Sequence, residues 1–287
     1  MISDITLGQF FPGFSIIHKL DPRMKIILAI FFIAAIFVAN NPVSFALVIL
    51  FTVVLVLLSR ISLKTVLKGL KPIIFILIFT SIINLFFVGG ADGAAPLVEF
   101  YFIKIYLDGI YRAVFMSLRV IVLIIGTSIL LTYTTSPISL TDGIESLLSP
   151  LKFIGVPVHS FAMMMSIALR FIPTLIEETE KIMNAQKSRG ADFSSGGLIK
   201  RAKALIPILV PLFVSAFKRA DELAVAMECR CYRGDKNRTK LVKLECRARD
   251  YLMLVVFVIL LGAMIVGQIL PYRFELSGWL YYLFYKI

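Results

Sequence analysis

The stretch IILAIFFIAAIFVANNPVSFALVILFTVVLVLLS occupies residues 26–59 and contains no charged residue. A membrane-spanning helix needs about 20 apolar residues, so this stretch is too long for one ordinary span. Asn40-Asn41-Pro42 lies near its middle and is a strong turn signal. The stretch therefore predicts two membrane helices, at about 25–39 and 43–59, joined by a tight turn.

Three more apolar stretches follow along the chain. Pro72 opens one at about 72–88, another covers about 105–135, and the last covers about 251–270. Residues 60–71 carry basic side chains but no acid, which predicts a short basic helix at the membrane surface. The chain is thus predicted to cross the membrane about five times.

The stretch 105–135 contains Arg112 and Arg119 on one helical face. An arginine inside a membrane span is costly and usually faces protein or water. We therefore expect 105–118 to be an amphipathic interfacial helix, with the clean span at about 119–134.

Composition supports a membrane protein. Hydrophobic residues make up 59% of the 287 residues and charged residues only 17%, whereas soluble domains have about 25% charged residues. The net charge of +12 then belongs to loops and helix ends, where the positive-inside rule explains it without a nucleic-acid partner. Basic clusters before the first span, after the second and before the last predict a cytoplasmic N-terminus. The predicted fold class is an all-α polytopic membrane protein with about five transmembrane helices.

We predict three regions along the chain. Residues 1–135 form an N-terminal transmembrane region with about four spans. Residues 136–249 form a charged cytoplasmic or interfacial region, and residues 250–287 form a last transmembrane helix with an aromatic tail.

The charged region keeps helical periodicity. Apolar residues form one stripe in a helix predicted at about 174–190, which Pro173 precedes and Gly190 ends. A second helix is predicted at about 218–232. The apolar stretch between them is short and broken by two prolines, so we interpret it as interfacial or re-entrant.

The two charged helices end alike, one with Ser188-Arg189-Gly190 and the other with Cys229-Arg230-Cys231. One interpretation is that each arginine only interacts with the helix dipole, by about 0.3–1 kcal/mol. The other is that two matched ends insert into two similar pockets of a partner, which suits the planar fork of arginine. Within the second helix, small residues at Ala220 and Ala224 predict a place where the two helices cross.

Motifs for chemistry are missing from the sequence. It has no G-x-x-x-x-G-K-[ST] phosphate loop, so ATP binding by that route is not expected. Cys229, Cys231 and Cys246 lack a fourth ligand and ordinary zinc spacing, so we interpret them as free thiols in a reducing compartment. The predicted spans lack the buried carboxylates expected of a self-powered ion-coupled transporter. We expect no cofactor or metal on this chain and no catalysis.

Several motifs resemble one family. Ser15-x-x-His18-x-Leu20-Asp21-Pro22-Arg23-x-Lys25, before the first span, is similar to the N-terminal signature of the transmembrane T component of energy-coupling factor (ECF) transporters. Leu169-Arg170-Phe171-Ile172-Pro173 fits the same pattern. Ala185-Gln186-Lys187-Ser188-Arg189-Gly190-Ala191 resembles the first of the family's two short arginine motifs. Ala226-Met227-Glu228-Cys229-Arg230-Cys231-Tyr232 resembles the second, with cysteines where small residues are commoner.

The resemblance implies a non-catalytic scaffold in a bacterial or archaeal cell membrane. Such a T component joins two cytoplasmic ABC ATPases, which hold ATP and Mg, to a small membrane S component that binds a B-vitamin or transition-metal ion. It implies that the two charged helices are crossed coupling helices. By the same resemblance, Arg189 and Arg230 dock in the ATPases, with Ser188, Gly190, Cys229 and Cys231 beside them.

Two other functions compete with this interpretation. A membrane enzyme acting on lipids would need a cluster of catalytic groups, for which Glu177, Glu178 and His159 are the only suggestive residues. A conventional ABC permease would hold its own substrate site and would transport without an S component.

Overall fold

The protein is almost entirely α-helical. Its computed structural model describes residues 10–87, 98–100, 103–191, 193, 197–234 and 244–269. The described chain divides into two units, which we call the membrane unit (residues 10–136 and from 244 on) and the coupling unit (residues 137–243). The domain boundaries predicted after residues 135 and 249 concern membrane and cytoplasmic location, and they stay predictions.

The membrane unit begins with the predicted pair of apolar helices. Helix α1 covers Pro22–Val38 and α2 covers Pro42–Ser59. The side chain of Asp21 caps α1 by accepting a hydrogen bond from the Arg23 amide at 2.9 Å. Both helices have proline in the first turn, where a missing N–H costs nothing. The turn predicted at residues 40–42 is confirmed.

A short helix and a longer one follow. Helix α3 covers Leu63–Leu70, so the helix predicted for the basic segment is present, and its place at the membrane surface stays a prediction. A single 3₁₀ turn leads into α4 at Ile74–Phe87. A small antiparallel hairpin comes next, with β1 at Val98–Phe100 and β2 at Ile103–Ile105.

Helix α5 covers Leu107–Thr127 and continues into a π-helical segment at Ser128–Tyr133. The prediction that 105–118 forms a separate interfacial helix is wrong, because one helix runs through this stretch. Arg119 is accommodated by a backbone acceptor: its Nη2 donates to the carbonyl of Ala39, at the end of α1, at 2.7 Å. Its guanidinium also lies over the ring of Phe115, 5.0 Å from the centroid.

Helix α9, at Ala248–Ile269, completes the core of the membrane unit. Helices α1 and α2 each pack against both α5 and α9. In lipid such helices associate through close packing and hydrogen bonds, because lipid tails are as apolar as leucine. Gly126 of α5 shows how close the packing is, since a Cβ there would overlap the ring of Phe32. Phe51 and Phe257 meet edge to face at 4.6 Å between centroids.

In its described residues, the coupling unit contains three α-helices. Helix α6 covers Pro137–Leu147, a 3₁₀ segment covers Ser149–Ile154, α7 covers Val158–Ser188 and α8 covers Leu198–Cys229. Helix α7 packs against both α6 and α8.

Two sequence predictions for this unit are corrected by the structure. The first charged helix does not begin at Pro173, which lies inside α7, and the second does not begin at residue 218. The stretch 198–217, predicted to be a separate segment, is the first half of α8, with Pro207 and Pro211 inside the helix, and its predicted interfacial or re-entrant position stays a prediction. A proline in a helix removes one hydrogen bond, but a long apolar helix tolerates it where neighbouring groups compensate.

Within the described residues, five helical stretches are long and apolar enough to cross a membrane: 42–59, 63–86, 109–133, 158–188 and 248–266. Helix α1 is as apolar, but its 17 residues fall just short of that length. The stretch 158–188 was not predicted as a span, because the charged residues after Pro173 dominate its pattern. The fold is that of an all-α multi-pass membrane protein, as predicted. The aromatic tail predicted after residue 270 lies outside the described residues.

Candidate functional site

The first arginine motif forms the C-terminal end of α7. The helix ends at Ser188, and Arg189 is its C-cap residue, with φ −89° and ψ 7°. Gly190 follows with φ +87°, in the left-handed region. The chain then turns back, because the amide of Ala191 donates to the carbonyl of Gln186 at 3.0 Å.

The second arginine motif forms the C-terminal end of α8. The helix ends at Cys229, and Arg230 is its C-cap residue, with φ −92° and ψ 16°. Cys231 follows with φ +56°. The amide of Tyr232 donates to the carbonyl of Met227 at 3.0 Å.

The two ends therefore share one backbone closure. In each, the left-handed residue donates its amide to the carbonyl three residues earlier, at 2.9 Å for Gly190 and 2.8 Å for Cys231. These two hydrogen bonds define a Schellman motif. Arg189 and Arg230 occupy equivalent positions in it, and both are exposed. The sequence showed that the motifs were alike, but it did not show that a non-glycine residue, Cys231, adopts the left-handed conformation.

Helices α7 and α8 are joined by a polar contact near their middles. Glu178 of α7 accepts a hydrogen bond from the hydroxyl of Ser215, and its other oxygen lies 2.6 Å from Nη2 of Arg219. Ala220 and Ala224, the residues predicted at the helix crossing, are both exposed. These two alanines take no part in the contact between Glu178 and Arg219. Ala220 follows Arg219 directly, and one residue along an α-helix turns the side chain by about 100° to another face.

Arg230 also borders a cavity of about 810 Å³ between α7 and the end of α8. Arg170 and Arg233 line the same cavity, and its apolar wall includes Phe171 and Met227. The end of α8 therefore combines positive charge with apolar surface, which is suited to an acidic and partly apolar partner.

Two of the three groups considered for a lipid enzyme, Glu178 and His159, have structural partners. Both carboxylate oxygens of Glu178 are engaged by α8, and Nδ1 of His159 lies 2.9 Å from Oε1 of the buried Glu145. Glu177 is exposed. Among the described residues, no group of three or more His, Cys, Asp or Glu side chains could hold a metal ion. Cys229, Cys231 and Cys246 are free thiols, and all three are exposed.

Comparison with known proteins gives a consistent result. The family model described as cobalt transport protein (CbiQ) matches residues 13–241. The chain is 51% identical over 269 residues to the energy-coupling factor transporter transmembrane protein EcfT of Clostridium kluyveri, covering 94% of this chain and 98% of that protein. It is 53% identical to the EcfT of Ruminiclostridium cellulolyticum, covering 93% of this chain and 98% of that protein. It is 48% identical to the EcfT of Bacillus subtilis, covering 91% and 97%. The chain therefore belongs to the CbiQ/EcfT family, the transmembrane components of energy-coupling factor transporters.

Proposed function

We propose that this chain is the scaffold that couples two cytoplasmic ABC ATPases to a substrate-binding S component, for uptake of a B-vitamin or a transition-metal ion. Its place is a bacterial cell membrane, with the N-terminus in the cytoplasm. The observation that carries the proposal is the pair of equivalent helix ends with an exposed arginine at each. ATP and Mg belong to the partner ATPases in this proposal.

Two equivalent ends suit two similar partners. Because Arg189 and Arg230 stand at the same position of the same backbone motif, each end offers its partner one exposed arginine at the C-cap of a helix. A guanidinium binds a carboxylate through two parallel hydrogen bonds, which gives such docking a defined geometry. Two related ATPases with similar acidic grooves would meet this requirement.

The contact between α7 and α8 supports a coupling role. Glu178 binds Ser215 and Arg219, so the two helices are tied together away from their arginine-bearing ends. A displacement of one end by its ATPase is therefore expected to move the partner helix as well. Such a lever requires a firm contact at this point, and a charge-assisted hydrogen bond is among the stronger contacts available.

The apolar surface of the coupling unit supports a membrane partner. Along the first half of α8, large apolar side chains are exposed over successive turns: Leu205, Ile206, Leu209, Val210, Phe213, Val214 and Phe217. An exposed apolar surface of this length is expected to contact lipid or another membrane protein. The S component is the partner that the proposal assigns to it.

Identification of the proteins that co-purify with the chain tests the proposal. The chain is purified from its native membranes in mild detergent, and the recovered proteins are identified by mass spectrometry. We expect two ABC-type ATPases and at least one small hydrophobic protein. Recovery of the chain alone, under conditions that keep other transporter complexes intact, would contradict the scaffold function. Uptake by the chain and ATPases without a further membrane protein would instead identify a conventional permease.

Replacement of the two arginines tests the docking role. Arg189→Ala with Arg230→Ala is expected to abolish uptake, because truncating an arginine that is an interface hot spot costs about 2 kcal/mol or more, or about 30-fold in affinity. The matched control is Lys187→Ala, which removes an exposed cation from the last turn of α7 and leaves Arg189 in place. Unchanged uptake in the double variant, or an equal loss in the control, would refute docking through the arginines.

A further inference from the structure

The chain leaves the membrane unit after Ser136 and returns to it at Leu244. The described residues of the coupling unit all lie between these two connections. In the membrane unit, both connections are fastened to the first turn of α1 by buried charged side chains. We call this set of hydrogen bonds the anchor contacts. They are formed by Lys25, Asp250, Asp21 and Thr134-Thr135.

Lys25 fastens the outgoing connection. Its side chain is fully buried, and its Nζ donates to the carbonyl of Thr134 at 2.8 Å and to Oγ1 of Thr135 at 3.1 Å. A third donor reaches the carbonyl of His18 at 3.4 Å. An ammonium group has three donors and no acceptor, so these three oxygens match its capacity.

Asp250 fastens the returning connection. It is 2% exposed, and its Oδ1 accepts a hydrogen bond from the backbone amide of Asp21 at 2.9 Å. Its Oδ2 accepts from the amide of Arg247 at 2.7 Å, so the chain just before α9 is held as well. Asp21 is itself the N-cap of α1, which brings both fastenings to the same helix turn.

The π-helical segment Ser128–Tyr133 lies directly before Thr134 and Thr135, the residues of the outgoing connection that Lys25 contacts. The hydroxyl of Thr134 donates to the carbonyl of Ile129 at 2.8 Å, five residues earlier. The backbone carbonyl of Thr134 is left for Lys25. Wide helical turns of this kind are rare and often occur at functional positions.

The placement of these charges needs an explanation beyond packing. The rest of the buried core in the described membrane unit is mainly apolar, and buried charges are costly unless they are fully hydrogen-bonded. Apolar side chains would close the same space at lower cost. Lys25 and Asp250 instead form hydrogen bonds with chain segments that lie within a few residues of Ser136 and Leu244, where the described chain passes to and from the coupling unit.

We infer that Lys25 and Asp250 are positioning residues that hold both connections at one point of the membrane unit, so that motion of the coupling unit reaches the membrane helices through a fixed pair of anchors. The inference rests on the proposed function. Without the anchor contacts, the ATPases would still dock and hydrolyse ATP. Part of each movement of the coupling unit would then displace the loosened connections and would not reach the membrane helices.

The test is the number of substrate molecules transported per ATP hydrolysed, measured in proteoliposomes with the complete transporter. Lys25→Met is expected to lower this ratio by about tenfold, because loss of the charge-assisted hydrogen bonds shifts the equilibrium between held and released connections by about that factor, while ATPase recovery stays normal. Thr135→Val removes one of the three acceptors and is expected to give a smaller fall in the same ratio. It serves as the second variant if Lys25→Met does not insert.

Leu28→Ala is the matched control. Leu28 is fully buried in the same helix, one turn after Lys25, so its truncation destabilises the membrane unit without touching either connection. We expect lower thermal stability in this variant with an unchanged transport ratio. The same fall in ratio for Leu28→Ala and Lys25→Met, or an unchanged ratio in both Lys25→Met and Thr135→Val, would overturn the inference. Failure of the proposed function would appear differently, as a wild-type chain that recovers no ATPases.

Discussion

The left-handed residues that close α7 and α8 allow a prediction of opposite sign at two equivalent positions. In Gly190→Ala an L side chain is forced to φ +87°, and in Cys231→Gly such a side chain is removed from φ +56°. The left-handed conformation costs an L residue about 1–2 kcal/mol. Replacing glycine also restricts the unfolded chain, which offsets about 0.4–1 kcal/mol. The net effect is about 1 kcal/mol at each site, destabilising for Gly190→Ala and stabilising for Cys231→Gly.

Sterics do not complicate the first substitution, because nothing lies within 4 Å of a Cβ built on Gly190. The assay is hydrogen exchange followed by mass spectrometry, on peptides that contain the amides of Ala191 and Tyr232. An effect of about 1 kcal/mol changes the local opening equilibrium about fivefold. Exchange is expected to be about fivefold faster at the end of α7 in Gly190→Ala, and about fivefold slower at the end of α8 in Cys231→Gly.

Gly262→Ala is the control for this pair. Gly262 lies inside α9 with open space around its Cβ position, so alanine there is expected to stabilise the helix by up to about 1 kcal/mol and to leave both helix ends unchanged. Exchange at Ala191 that is the same in Gly190→Ala and wild type would refute the argument. So would faster exchange at Tyr232 in Cys231→Gly.

Three further predictions concern contacts elsewhere in the chain. Glu178→Ala removes the tie between α7 and α8 and is expected to cost about 1–2 kcal/mol in thermal unfolding, whereas Glu177→Ala, at an exposed position, should stay within about 0.5 kcal/mol; equal effects would contradict the tie. Arg119→Met leaves the carbonyl of Ala39 without its side-chain donor and is expected to cost about 1–3 kcal/mol, against little change for the exposed Arg112→Met, and equal melting temperatures would refute this role. The pKa of Cys246, which precedes α9, is raised by desolvation and by the carboxylates of Asp21 and Asp250. In a chain without the other two cysteines, its alkylation should therefore require higher pH than that of free cysteine in solution. A pH midpoint at or below that of free cysteine would contradict the raised pKa.

Hydrophobic pattern and turn chemistry were sufficient for most of the membrane unit. The turn at Asn40-Asn41-Pro42 was predicted because three residues with the same tendency interrupt an apolar stretch long enough for two helices. The prediction for 105–118 failed for a different reason. In the sequence, Arg119 predicts that the segment before it lies outside the membrane core, because an arginine is costly there. In the structure, its side chain donates to the carbonyl of Ala39 at the end of α1, 80 residues away.

The coupling unit shows what periodicity leaves open. The prolines at 173, 207 and 211 are strong signals for helix ends, but α7 and α8 run through them. Periodicity also shows which residues share a helix face, but not which face meets the neighbour. The pair Ala220 and Ala224 suited a close approach by size, yet the described contact is made through Ser215 and Arg219, whose partner Glu178 no local pattern identifies.

The anchor contacts also determine when, during synthesis, the start of α1 can form its final hydrogen bonds. The hydrogen bond between the amide of Asp21 and the carboxylate of Asp250 joins positions 229 residues apart. Lys25, at the start of the first helix, likewise waits for Thr134 and Thr135 to be synthesised. Until then, these groups at the start of α1 must stay in contact with water, lipid head groups or the insertion machinery, since an unpaired charge is costly in hydrocarbon. The contacts that hold the start of α1 are therefore complete only after the segment that contains Asp250 has been synthesised.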